Sequence, residues 1–113
     1  MKRYSLTLDL QDDAEKIKQY EEYHRNVWPE IIASIKDSGI LALEIYRWNT
    51  RLFMIMEVSD EFSFEKKKAA DEQHKKTQEW ENLMWNYQKA LPGSKPGEKW
   101  VLMDKIFELE RNN

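Results

Sequence analysis

Ile40-Leu-Ala-Leu-Glu-Ile-Tyr-Arg-Trp48-Asn49-Thr50-Arg51-Leu52-Phe-Met-Ile-Met-Glu-Val58 is the stretch that decides the fold. Two runs rich in apolar and aromatic residues flank the short polar turn Asn49-Thr50. That is the pattern of an antiparallel hairpin. The second run, Leu52 to Val58, is nearly all apolar, which predicts a strand buried on both faces or central in its sheet. Upstream, Gly39 closes a helical region that runs from Ala14 to about Ser38, with carboxylates at Asp12 and Asp13 to cap its start. Before it, Tyr4, Leu6, Leu8 and Leu10 alternate with Ser5, Thr7 and Asp9, as in a half-buried strand.

Downstream, Asp60 to about Leu91 reads as a second helical region. A kink or loop is expected around Asp71 to Lys76, where the apolar pattern fades. Trp80, Met84, Tyr87 and Leu91 then fall at helical spacing and predict a core stripe. Pro92-Gly93-Ser94-Lys95-Pro96-Gly97 is a loop. Trp100 to Leu109 reads as the last strand, with a bulge between Met103 and Ile106, and Glu110-Arg111-Asn112-Asn113 as a tail. The order β-α-β-β-α-β is the α+β, ferredoxin-like split βαβ arrangement, with the helices on one face of an antiparallel sheet. The other face needs cover. A homodimer in which two such sheets face each other, a dimeric α/β barrel, supplies it.

The chain has 113 residues, one domain (1–113) with one ordinary core. It is 41% hydrophobic and 35% charged, with a formal net charge of -3. A nucleic-acid binder normally carries a basic excess, so no nucleic-acid partner is expected. Lys66, Lys67, Lys68, Lys75 and Lys76 are interleaved with Glu65, Asp71, Glu72 and Glu79. That reads as a solvated helix face, with an anionic-ligand patch as the lesser alternative. There is no cysteine, hence no thiolate nucleophile or disulfide. The N-terminus alternates as a strand does and lacks the apolar run of a secretion signal. No apolar run is long enough to span a bilayer. The expectation is a soluble cytoplasmic protein with no membrane partner.

Tyr20-Glu-Glu-Tyr-His24-Arg-Asn-Val-Trp28-Pro29-Glu30 is the candidate site. Residues four apart share a helix face, so the Tyr20 phenol and the His24 imidazole can converge on one small ligand. Proline disfavours helix at the residue before it and suits a first helical turn. The helix should therefore break near Trp28 and restart at Pro29, forming one edge of a pocket. A lone histidine is more often a partly buried helix residue. Its aromatic neighbours and its neutral-range pKa favour proton shuttling here. His74, in a charged stretch, reads as an exposed helix residue. Two distant histidines and no cysteine give no metal-ligand spacing, so neither metal nor cofactor is expected. Five Trp, five Tyr and four Phe exceed what a small core accommodates, and some should line a cavity or interface. Trp85 lies about 100° round the helix from Met84. It either packs against a partner or forms the flat wall of a ligand site, where indole could stack on the C–H face of a pyranose.

These residues resemble the L-rhamnose mutarotase family over nearly the whole chain. The resemblance rests on Tyr20-x-x-x-His24, Trp28-Pro29-Glu30, Gly39-Ile40, Ile45-Tyr46, Leu52-Phe53 and the Trp85 region before Pro92. It implies dimers of ferredoxin-like subunits that interconvert the α and β anomers of a 6-deoxyhexose. It carries the catalytic histidine onto His24 and a sugar-contacting tyrosine onto Tyr20. Leu43 stands where the rhamnose enzymes tend to have a sugar-contacting tyrosine. Met84 replaces the first of a tryptophan pair, and only Trp85 remains. With Trp80 and the Pro96-Gly-Glu-Lys-Trp100-Val-Leu-Met103 segment, the chain looks more like the branch associated with L-fucose. The expected site is His24 as catalyst, with Tyr20, Trp28, Leu43, Met84 and Trp85 around a monosaccharide. The second acid or base is left open between a carboxylate and a bound water. The competing readings are a dimeric-barrel monooxygenase or haem-degrading enzyme, and a non-catalytic sugar-binding or dimerisation module.

Overall fold

The computed structural model describes residues 2–109. The tail assigned to residues 110–113 lies outside them. The elements run β1 (Lys2–Leu10), α1 (Ala14–Arg25), α2 (Pro29–Asp37), β2 (Ile40–Trp48), β3 (Arg51–Val58), α3 (Phe64–Gln73), α4 (Lys75–Met84), β4 (Gln88–Lys89) and β5 (Val101–Leu102). The sheet is antiparallel with order β2-β3-β1-β4, and β5 also pairs with β1. This is the ferredoxin-like α+β arrangement, with β3 in the interior of the sheet.

The helix boundaries follow from local chemistry. The Asp13 side chain caps α1 by accepting from the Lys16 N–H at 3.1 Å, satisfying one orphan donor. Trp28 is extended (φ -55°, ψ 135°) and Pro29 opens α2, as the restriction on a residue before proline demands. Gly39 ends α2 at φ 94°. A Cβ there would come within 2.8 Å of the Ser59 hydroxyl oxygen, so both conformation and space call for glycine.

Register sorts the two sheet faces. Leu6 and Leu8 pair with Met54 and Leu52, facing the helices. Buried residues there form two clusters. One is built on Leu10, Tyr20, Ile31, Leu52, Trp80, Met84 and Tyr87, the other on Leu6, Ile40, Met56 and Val58. The opposite face carries the pairs Tyr46–Phe53 and Trp48–Arg51. Tyr46 is 54% and Trp48 77% exposed.

The second helical region divides into two helices at His74, inside the stretch Asp71 to Lys76 where a kink or loop was expected. Four expectations change. His74 is half-buried rather than an exposed helix residue: its Nδ1 accepts from the Thr77 N–H at 3.2 Å and lies 2.7 Å from the Thr77 hydroxyl. The helix stops at Met84, so Tyr87 packs into the core from a turn and Leu91 lies beyond β4. The irregularity in pairing falls at Leu41, between Ile40 and Ala42, rather than near Met103. The last strand is only Val101–Leu102, prolonged by one bond from the Met103 N–H to the Ser5 carbonyl. Leu102 pairs with Leu6 on the helix-facing side. Ile106, Phe107 and Leu109 are exposed.

Candidate active site

Between the helix-facing side of the sheet and the helices lies a cavity of about 700 Å³. Small-molecule sites span roughly 300–1,000 Å³. Members of both core clusters line it, among them Tyr20, Trp80 and Met84 from one and Leu6 and Met56 from the other. Most of the wall is apolar, and a few polar groups converge on it: His24, Tyr20, Gln88, and the pairs Glu81–Lys99 and Asp71–Lys67.

α1 delivers His24 and Tyr20 together. Their rings sit 4.4 Å apart, centroid to centroid. His24 Nδ1 lies 2.8 Å from the Tyr20 backbone carbonyl oxygen. A carbonyl only accepts, which assigns the proton to Nδ1 and leaves Nε2 with a free lone pair. Burial lowers the His24 pKa below its ordinary 6.5, opposed in part by that carbonyl. A neutral imidazole with a bare nitrogen is a base ready to accept a proton. Trp80 closes in on the ring at 5.7 Å and packs edge-on against Trp28 at 5.0 Å.

The Tyr20 hydroxyl is buried and receives a hydrogen bond from Gln88 Nε2 at 3.3 Å. Burial pushes its pKa up to about 12; the Gln88 bond opposes this and the Glu81 carboxylate adds to it. Tyr20 is therefore a neutral donor across the physiological range. Lys99 is held by the Glu81 carboxylate at 2.7 Å and the Glu81 carbonyl at 2.8 Å, with its ammonium 4.9 Å from the Trp85 ring centroid. Lys67 and Asp71 form a second half-buried pair at 2.7 Å.

Of the residues read from sequence, His24, Tyr20, Leu43 and Met84 line the cavity. Trp28 and Trp85 do not. Trp28 supports Trp80 from behind. Trp85 caps the end of α4, beneath Lys99. Sequence reasoning missed Trp80 as a wall, because a helical stripe reads first as core. It also missed Gln88, Glu81 and Lys99. Lys99 follows a proline-glycine loop and carries no local signal. Among the described residues, no group of three His, Cys, Asp or Glu is arranged to hold a metal ion, and no helix is long and apolar enough to cross a membrane.

The fold and the site define a class: a ferredoxin-like α+β protein that encloses a histidine-bearing cavity of small-molecule size. Residues 3–109 match the L-rhamnose mutarotase family, and the chain belongs to that family; its function is that of a sugar mutarotase. An L-fucose mutarotase from Xanthomonas campestris pv. campestris is 50% identical over 111 residues, 96% of this chain and 89% of that protein. Among solved structures, an L-rhamnose mutarotase from Formosa agariphila superposes with a TM-score of 0.72 at 18% identity, over 97% of this chain and 100% of the other. A dimeric ferredoxin-like protein from an uncultured marine organism gives 0.61 at 16% identity, over 96% of this chain and 98% of the other. At those identities the structural likenesses speak to the fold.

Proposed function

We propose that this protein interconverts the α and β anomers of a 6-deoxyhexose, with L-fucose ahead of L-rhamnose, using His24 as the proton-transfer group. The observation that carries the reading is the His24 environment: Nδ1 pinned to the Tyr20 carbonyl, and burial holding the ring neutral on the wall of an apolar cavity. The half-identical relative named for L-fucose supports the choice of sugar.

Ring opening moves one proton from the anomeric hydroxyl to the ring oxygen. Both oxygens are bonded to C1, so one nitrogen can serve both. Nε2 accepts the hydroxyl proton as the C1–O5 bond breaks and returns it to O5. The C1–C2 bond of the aldehyde rotates. O5 then attacks the other face of the carbonyl, its proton returning through Nε2 to O1. Atoms and charge balance without an external reagent. Tyr20, a neutral donor, orients a hydroxyl of the sugar. Leu43 and Met84 shape the apolar wall, and Trp80 offers the flat surface nearest the imidazole. The functional unit in this reading is a homodimer closed over the exposed sheet face.

NMR exchange spectroscopy on L-fucose and on L-rhamnose tests the proposal. Anomer exchange should accelerate for both, more for L-fucose. A folded protein that accelerates neither would refute it.

A further inference from the structure

Gln88 lines the cavity beside Tyr20, and the reading above leaves it without a task. It lies on β4, and its pairing with Leu10 turns it toward the helix-facing side. It is only 5% exposed. Its Nε2 donates to the Tyr20 hydroxyl. Its Oε1 is buried and has no hydrogen-bond partner among the described residues. Buried polar atoms are almost always paired, and one left unpaired on a residue that lines the cavity marks a place for a ligand donor. The α4 stop at Met84 produces this placement, because it turns the chain back into the sheet just before Gln88.

We infer that Gln88 is a substrate-binding residue: its Oε1 accepts a hydrogen bond from a ring hydroxyl of the bound 6-deoxyhexose. The same amide directs Tyr20. Because Nε2 donates to the Tyr20 oxygen, the phenol's own proton is free to point at a second acceptor on the sugar. Gln88 thus reads one hydroxyl directly and aims the donor that reads another. This inference rests on the mutarotase reading.

The test pairs Gln88→Met, close in size and without a strong acceptor, with L-fucose and its 2-, 3- and 4-deoxy analogues. Exchange is measured by NMR. In the wild type, one analogue should lose roughly tenfold in kcat/KM relative to L-fucose. In Gln88→Met that analogue and L-fucose should become nearly equivalent, with the other analogues still discriminated. A purely structural Gln88 would lower all sugars in proportion. That outcome, or wild-type discrimination in the variant, overturns the inference. Should Gln88→Met fail to fold, the wild type decides. On titration with L-fucose, the ¹⁵N-labelled Gln88 side-chain amide should shift along the same saturation curve as His24. A silent Gln88 beside a responding His24 overturns the inference while leaving the mutarotase reading intact. A wild type that neither binds nor exchanges the sugar overturns both.

Discussion

In the proposed reaction His24 needs little to serve as a base: a backbone carbonyl on one nitrogen and burial that favours the neutral ring. Burial sets the sign of its pH behaviour. With its folded pKa below 6.5, the imidazole stays neutral to lower pH than a free histidine. kcat/KM for anomer exchange should therefore hold level down to at least pH 6.5 and fall below it, with an acid limb placed under 6.5. The unfolded chain binds the proton first as pH drops, so this group costs the native state stability between pH 6.5 and its lower folded pKa. Thermal melts from pH 7.5 to 5 should show His24→Gln losing less Tm on acidification than the wild type. Equal losses would mean that the imidazole is not buried neutral. Tyr20 works in the alkaline direction. Its pKa near 12 against 10 in the unfolded chain means stability contributed by the neutral phenol is lost as pH rises above 10. The Tyr20–His24 face was readable from sequence, because a separation of four on a helix admits few other arrangements. Gln88 was not, since it fell inside the expected second helical region, off its apolar stripe.

At the scale of elements, the positions with hard backbone constraints were the ones sequence could read. Trp28-Pro29 broke the helix, Asn49-Thr50 made the hairpin turn, and Gly39 stopped α2. Gly39→Ala should destabilise the protein by about 1–3 kcal/mol, because φ is 94° and the new methyl would meet the Ser59 hydroxyl. Chemical denaturation would read this as a lower midpoint at unchanged slope; an unchanged midpoint would contradict it. The stretch from α4 to the C-terminus read less well. Tyr87 continues the helical spacing of Trp80 and Met84, yet the helix ends at Met84 and Tyr87 reaches the core from the turn that follows. Trp85, in helical conformation at the end of α4 with its N–H on the Glu81 carbonyl, is half-buried at the edge of that stripe, as its phase from Met84 implied. The strand expected over Trp100 to Leu109 pairs only at Val101–Leu102, because alternation marks residues able to form a strand but does not say how far a neighbouring strand runs beside them.

For the whole molecule, the sheet divides two tasks. Its helix-facing side holds the cavity. Its other side presents Tyr46, Trp48, Phe53 and Ile55 on the paired strands β2 and β3. A large exposed apolar surface on a small domain marks an interaction site. If two copies meet there, a charge at its centre should separate them. Phe53→Asp should sediment as a monomer, and the wild type should sediment as a dimer. A wild type that is monomeric at micromolar concentration, or a variant of unchanged mass, would contradict this. The cavity lies on the far side of the sheet, so the variant's His24–Tyr20 geometry should survive, with matching aromatic circular dichroism in that region.

The central claim is that His24 transfers the proton. Its most direct test is exchange spectroscopy on L-fucose with wild type and His24→Ala side by side, both shown to be folded. General acid–base catalysis contributes about 10²–10⁴-fold, so His24→Ala should lose at least a hundredfold in kcat with KM little changed. A His24→Ala protein that equilibrates the anomers as fast as wild type would contradict the account.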